Sequence, residues 1–214
     1  MQRHLVLTAA ALALAAAAPG HAEAQTRPVT VIVGLGPSHA ARLGGLPGPQ
    51  GPVQGRLLGA TTPMLGIQAP TALRGVGLRL AVQHSNPTLA LQGEDGFVTS
   101  GHVGVTTVTA DAVIDLPHVL GARPYLLAGG GVRRYDFDED DFRGSASPIT
   151  PVDEMEPLLH LGAGVAWRVG RADLFAEASS VSTKFRTRGM DPGGRSVGTF
   201  GYTLGVRLPL GRGR

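Results

Sequence analysis

The 214-residue chain contains no cysteine. That excludes disulfide staples, thiolate metal sites and cysteine nucleophiles, and leaves burial, hydrogen bonds and ion pairs to hold the fold. Lysine is almost absent too: of 19 basic residues, Lys184 is the only one that is not arginine. Aromatic residues make up 5% of the chain, and several fall near the ends of patterned segments. The formal net charge of +3 is modest and scattered, which gives no support for a nucleic-acid partner. After residue 24 no apolar run approaches the ~20 residues a membrane helix needs, so a membrane-spanning form would have to be a closed sheet.

What the sequence does have begins at its N-terminus. Arg3 and His4 precede an unbroken apolar run from Leu5 to Ala18, which Pro19-Gly20 ends. Ala22-Glu23-Ala24 then places small residues where a signal peptidase reads them. Residues 1–24 therefore read as a secretory signal cleaved after Ala24, with Ala22 as the alternative site, and an uncleaved N-terminal anchor as the bland reading. Residues 25–214 read as one domain, and removal of Arg3 and Glu23 leaves its net charge unchanged.

From Val29 onward, period-two alternation dominates. Phe200, Tyr202, Leu204, Val206 and Leu208 share one face, with Thr199, Gly201, Thr203, Gly205 and Arg207 on the other. Segments 29–36, 73–83, 88–98, 103–116, 124–135, 159–169 and 173–183 repeat the design, which makes eight strands. Each is near the ~9–11 residues that a tilted strand needs to cross hydrocarbon. Their connections alternate in length. Residues 37–72, 93–101, 136–157 and 186–197 are the longer ones; His84-Ser85-Asn86-Pro87, 117–123 and Gly170-Arg171 are the shorter turns. Transmembrane barrels show this asymmetry, with short turns on one side and long loops on the other. The fold expected is all-β: an eight-stranded antiparallel up-and-down transmembrane β-barrel after a cleaved signal peptide.

The less apolar face carries glycine, alanine, threonine and isolated charges instead of the Lys and Glu that coat a soluble sheet. Small residues suit the filled interior of an eight-stranded barrel. The charges there have both signs, and an unpaired buried charge costs several kcal/mol. A lumen charge network of Arg79, Asp111, Asp115, Arg133, Arg168, Glu177 and Arg207 is therefore expected, with guanidinium groups as bidentate partners. Glu94 and Asp173 sit at strand ends and read as solvated. Tyr125 and Trp167 on the turn side, and Tyr135, Phe185, Phe200 and Tyr202 on the loop side, read as interfacial girdles.

Catalytic and metal motifs are missing. There is no Gly-x-Ser-x-Gly elbow, no His-Glu-x-x-His helix and no phosphate-cradling glycine loop. His39, His84, His102, His118 and His160 read as ordinary polar positions. The acidic run Asp136–Asp141 has carboxylates at the spacing that opens a calcium loop, but Asp141 stands where that loop needs glycine and Ser147 where it needs glutamate. It reads as a solvated outer loop. No catalytic residue, metal site or cofactor is assigned.

The signal segment, this rhythm, and segments such as Arg123-Pro-Tyr-Leu-Leu-Ala-Gly-Gly-Gly-Val132 and Phe200-Gly-Tyr-Thr-Leu-Gly-Val-Arg-Leu-Pro-Leu210 resemble the small eight-stranded outer-membrane barrels related to the OmpA transmembrane domain and OmpX. The resemblance covers roughly residues 28–210. It implies residence in the outer membrane and insertion by the barrel assembly machinery, which reads a final strand ending in an aromatic residue. Here the strand closes on Leu210 with Gly211-Arg-Gly-Arg214 behind it. The anchoring role that a peptidoglycan-binding domain would supply is not expected of residues 25–214, which read as barrel alone. The expectation is a monomeric, non-enzymatic barrel with a packed, non-channel lumen, serving as envelope scaffold or through its surface loops. Its neighbours would be outer-membrane lipid and lipopolysaccharide. Two alternatives are an outer-membrane lipid-modifying enzyme, for which only Ser100 and His102 lie near a rim, and a soluble lipocalin-like ligand binder in the periplasm.

Overall fold

The computed structural model describes residues 28–39, 41–48, 51–93, 96, 98–137, 154–185 and 195–210. Residues 1–24, read as an export signal, lie outside the described residues, as do Glu94 and residues 138–153 with most of the acidic run. Every regular element described is a strand: β1 (Val29–Ser38), β2 (Ala41–Gly48), β3 (Gly51–Leu57), β4 (Ala60–Pro70), β5 (Val76–Ser85), β6 (Thr88–Gln92), β7 (Val98–Asp115), β8 (Ala122–Phe137), β9 (Glu154–Val169), β10 (Ala172–Phe185) and β11 (Arg195–Leu210).

Eight of these, β1, β4, β5, β7, β8, β9, β10 and β11, form a closed antiparallel ring in chain order. Closure is made by β1 against β11, where Val29 faces Leu210 and Ser38 faces Gly201. The ends bearing Val29 and Leu210 share a side with three short turns. Gly75 (φ 77°) and Gly170 (φ 61°) take the left-handed conformation that lets glycine turn the chain tightly there. The three remaining strands extend the ring at its other end: β2 pairs with β3, β3 with β6, and β6 with the first five residues of β7. Backbone bonds carry the sheet over the interruptions, from Leu58 N–H to Thr88 O (2.9 Å) and from Val103 N–H to Pro87 O (3.0 Å).

Two sequence-derived assignments change here. Segment 60–70, inside the stretch read as a long loop, is a barrel strand, whereas 88–98 adds only the short β6 and the start of β7. His84–Pro87 is not a turn: it is a break at which β5 gives way to β6 without reversing, so β5 runs opposite to the direction expected. The physical reason is proline. Pro63 and Pro70 flank the alternation Met64–Gln68 and disguise a strand, while Asn86-Pro87 has turn chemistry without turning the chain. The total of eight barrel strands stands.

Side chains divide by parity along each strand. Leu35, Leu65, Ile67, Val82, Leu126, Leu161, Leu174, Leu204 and Leu208 are among the large apolar residues left exposed on the outside. Arg79, Thr109, Asp111, Tyr125, His160, Phe175, Glu177 and Arg207 are buried inside. A soluble lipocalin-like barrel would have the reverse arrangement. Toward the loop end the chemistry inverts while the parity holds. Leu43, Leu46, Val53, Leu57, Leu89, Leu91, Val103, Tyr135, Phe137, Phe185 and Val197 pack into an apolar core inside, and Arg42, Gln54, Arg56, Arg134, Lys184 and Ser196 face out.

Strand length explains the two zones. The 18 residues of β7 reach about 56 Å at about 3.3 Å per residue, or roughly 43 Å along an axis tilted by ~40°. The apolar band of such barrels is ~25 Å tall. The remainder stands in water, where an apolar core and a polar exterior are the stable choice. An exposed apolar band around a closed sheet is stable only in a bilayer, and barrels of this size and topology are outer-membrane structures.

Candidate functional site: the lumen charge cluster

At mid-height the bore is occupied by Arg79, whose side chain is wholly buried. From β5, its Nη1 donates to Glu177 Oε2 (2.6 Å) and its Nη2 to Glu177 Oε1 (3.2 Å). Nε and Nη2 also donate to Asp111 Oδ2, at 3.3 and 3.1 Å. Asp111 lies beside Arg79 in register on β7, but Glu177 lies on β10, four places round the eight-membered ring. The guanidinium therefore spans the barrel from one wall to the wall opposite.

Each carboxylate is further satisfied. Thr109 Oγ1 donates to Asp111 Oδ2 (3.1 Å) and Tyr125 Oη to Glu177 Oε2 (3.1 Å). His160 Nδ1 lies 2.7 Å from Asp111 Oδ1 and must be the donor, because an ionised carboxylate only accepts. Five strands meet in this knot. All four carboxylate oxygens are thus bonded, the condition under which buried charges are tolerable, since each unpaired ion costs several kcal/mol. Nε2 of His160 is the one buried polar atom of the knot without a partner among the described residues.

The other charges named from the sequence are placed differently. Arg133 is buried above the knot and donates from Nε to Thr107 Oγ1 (3.1 Å) and from Nη1 to Thr199 Oγ1 (3.1 Å), with Glu156 opposite it in register on β9. Arg207 is buried below, stacked at 4.1 Å over the ring of Tyr125 and 5.1 Å over that of Phe175. Arg168 does not join the knot: its side chain is 57% exposed at the turn-side rim, 3.4 Å from Asp173. Asp173, read as merely solvated, has a mostly buried side chain paired with both Arg123 and Arg168. Asp115 is half-buried at the same mouth.

Sequence reasoning missed His160, Tyr125 and Thr109 as partners in the knot. His160 already shared a face with Gly162 and Gly164, and that parity was the available signal. Tyr125, Tyr135 and Phe185 also lie inside, at 1–2% exposure, and do not belong to interfacial girdles. They occupy the inner parity, and Tyr135 packs edge-on against Phe185 at 5.4 Å. Trp167, Phe200 and Tyr202 do face outward, and His39 packs against the latter two. Inward glycines make the room. A Cβ on Gly164 would run into the Tyr125 ring, and one on Gly205 into Phe175 and the backbone of Val33.

Two cavities flank the knot, one of about 70 Å³ on the loop side and one of about 200 Å³ on the turn side, and they share no lining residue. Ser100 and His102 lie on the outer surface of β7, opposite Ala90 and Thr88 of β6. Among the described residues no group of three or more metal-ligating side chains is found.

No protein-family model and no curated protein sequence matches the chain. Solved structures do. Neisserial surface protein A is similar over 84% of this chain and 97% of its own, at 14% identity and a TM-score of 0.53. The outer membrane protein OprG from Pseudomonas aeruginosa is similar over 88% and 98%, at 10% identity and a TM-score of 0.57. At these identities the likeness is one of fold.

Proposed function

We propose that the chain is a non-enzymatic outer-membrane barrel whose lumen is closed and whose work is done by its raised outer end. The observation that carries the first half is the Arg79–Glu177 bridge, which crosses the bore between opposite strands and separates the two cavities. An eight-stranded barrel has room for packed side chains and not for a channel.

The second half rests on the inversion of polarity. The strands continue past the hydrocarbon as a self-supporting collar with its own apolar core. A collar lifts loops clear of the lipid surface, where a scaffold or an external partner can use them. Exposed Arg42, Arg56, Arg134 and Lys184 stand on this collar above the apolar band, which favours lipopolysaccharide phosphates as neighbours.

Two measurements test the proposal. In planar bilayers the purified protein should give no stable unitary conductance; discrete openings of uniform size would contradict a closed lumen. In intact cells, a single cysteine placed by Gln54→Cys or Lys184→Cys should react with a membrane-impermeant maleimide. Labelling only after cell lysis would place the collar on the wrong side and end the proposal.

A further inference from the structure

The turn-side cavity contains a guanidinium edge that finds no hydrogen-bonding partner among the described residues. Arg207 is 94% buried by its 6% relative exposure, yet its Nε and Nη2 have no hydrogen-bond partner among the described residues. These two nitrogens lie along one edge of the guanidinium, the edge that accepts two oxygens of one group side by side. The guanidinium carbon lies 4.1 Å from the centre of the Tyr125 ring and 5.1 Å from that of Phe175, cation–π contacts that hold the group at the cavity wall. A buried guanidinium edge left without acceptors is costly, and the adjoining cavity of about 200 Å³ is large enough for a small molecule.

Charge narrows the choice of ligand. The cavity is lined by Arg123, Arg168 and Arg207 against Asp115 and Asp173, a surplus of one positive charge with His118 neutral. Asp173 pairs with Arg123 and Arg168, and no carboxylate among the described residues reaches Nε or Nη2 of Arg207, so one added negative charge at that edge balances the lining. A singly charged oxyanion with two coplanar oxygens satisfies both the geometry and the balance, whereas a doubly charged phosphate overshoots it.

We propose that the turn-side mouth of the lumen is a blind binding site for a carboxylate, forked by Arg207 Nε–H and Nη2–H and reached from the periplasm. The site takes either a small organic acid or the carboxylate end of a peptide. The Arg79 knot and Tyr125 close it from above.

The test is nuclear magnetic resonance of the refolded barrel in micelles, following the Arg207 Nε–H signal at constant ionic strength. Acetate should move that signal saturably, with a dissociation constant on the order of millimolar, as befits so small a ligand. Arg207→Gln should abolish the saturable shifts of neighbouring Tyr125, and Arg134→Gln, on the far collar, should leave them unchanged. N-acetylglycine separates the two sources: tighter binding than acetate identifies a peptide end, and weaker binding a small acid. A wild-type signal that drifts linearly with acetate would overturn the proposal without recourse to any variant. So would phosphate binding as tightly as acetate, or shifts that survive in Arg207→Gln.

Discussion

Replacing Arg79 with methionine removes the group that bridges the bore while keeping most of its apolar volume. Arg79 makes four hydrogen bonds to two carboxylates. Without it, Asp111 keeps Thr109 and His160, and Glu177 keeps only Tyr125. Removing one partner from a buried ion pair costs about 3–5 kcal/mol, because the other charge is stranded. Two stranded carboxylates put Arg79→Met at the upper part of that range. The remedy follows from the same reasoning: adding Asp111→Asn and Glu177→Gln removes both charges and keeps hydrogen-bonding capacity. The triple variant should therefore be more stable than Arg79→Met alone, within about 1.5 kcal/mol of the parent. Urea unfolding in micelles reads this directly, because Trp167 is the only tryptophan and sits 43% exposed on the lipid-facing side. A loss below about 1 kcal/mol for Arg79→Met, or a triple variant as unstable as the sum of its parts, would refute the reasoning.

Other substitutions probe the remaining zones. Leu204→Arg, on the exposed apolar face, should cost about 2–4 kcal/mol in lipid vesicles; a neutral result in the same unfolding titration would contradict lipid contact at that height. Gly164→Val drives methyl groups into the Tyr125 ring, so it should destabilise by about 1–3 kcal/mol and displace the Tyr125–Glu177 bond. Unchanged tyrosine signals in its spectrum would count against the packing described. Phe185→Ala empties part of the collar core, with an expected loss of about 3–5 kcal/mol. Protease cleavage confined to the collar, with the membrane band intact, should accompany it; undiminished resistance would mean the collar is not a packed unit.

The inner and outer faces were legible because a strand turns its side chains over every residue, and a run of five or more alternations leaves no other regular reading. The same rule held through the collar, where Tyr135 and Phe137 keep the inner parity that Arg133 has in the band. Strand β4 was illegible because Pro63, Gly66 and Pro70 leave only a short alternating core. The collar strands β2 and β3 carry Gly44, Gly45, Pro47, Gly48, Gly51 and Pro52, a composition that pattern alone assigns to a loop. Which inner charges would meet was not encoded locally either. Arg79 and Glu177 are 98 residues apart, and their contact depends on where eight strands sit round the ring and how they are staggered. An inward aromatic above an inward glycine, as with Tyr125 over Gly164, is a signal that parity made available and that a girdle reading overlooks.

The central claim is that the apolar face meets acyl chains while the inner face is closed, and spin labels along two strands test it most directly. The absence of native cysteine allows single labels at Tyr202, Leu204, Leu208, Thr203, Ser182 and Lys184 in a lipid-reconstituted protein. Labels at 202, 204 and 208 should collide freely with oxygen and little with a water-soluble nickel chelate, the label at 203 with neither, and those at 182 and 184 mainly with nickel. Nickel accessibility at 204 equal to that at 184, or oxygen accessibility at 203 equal to that at 204, would contradict the account.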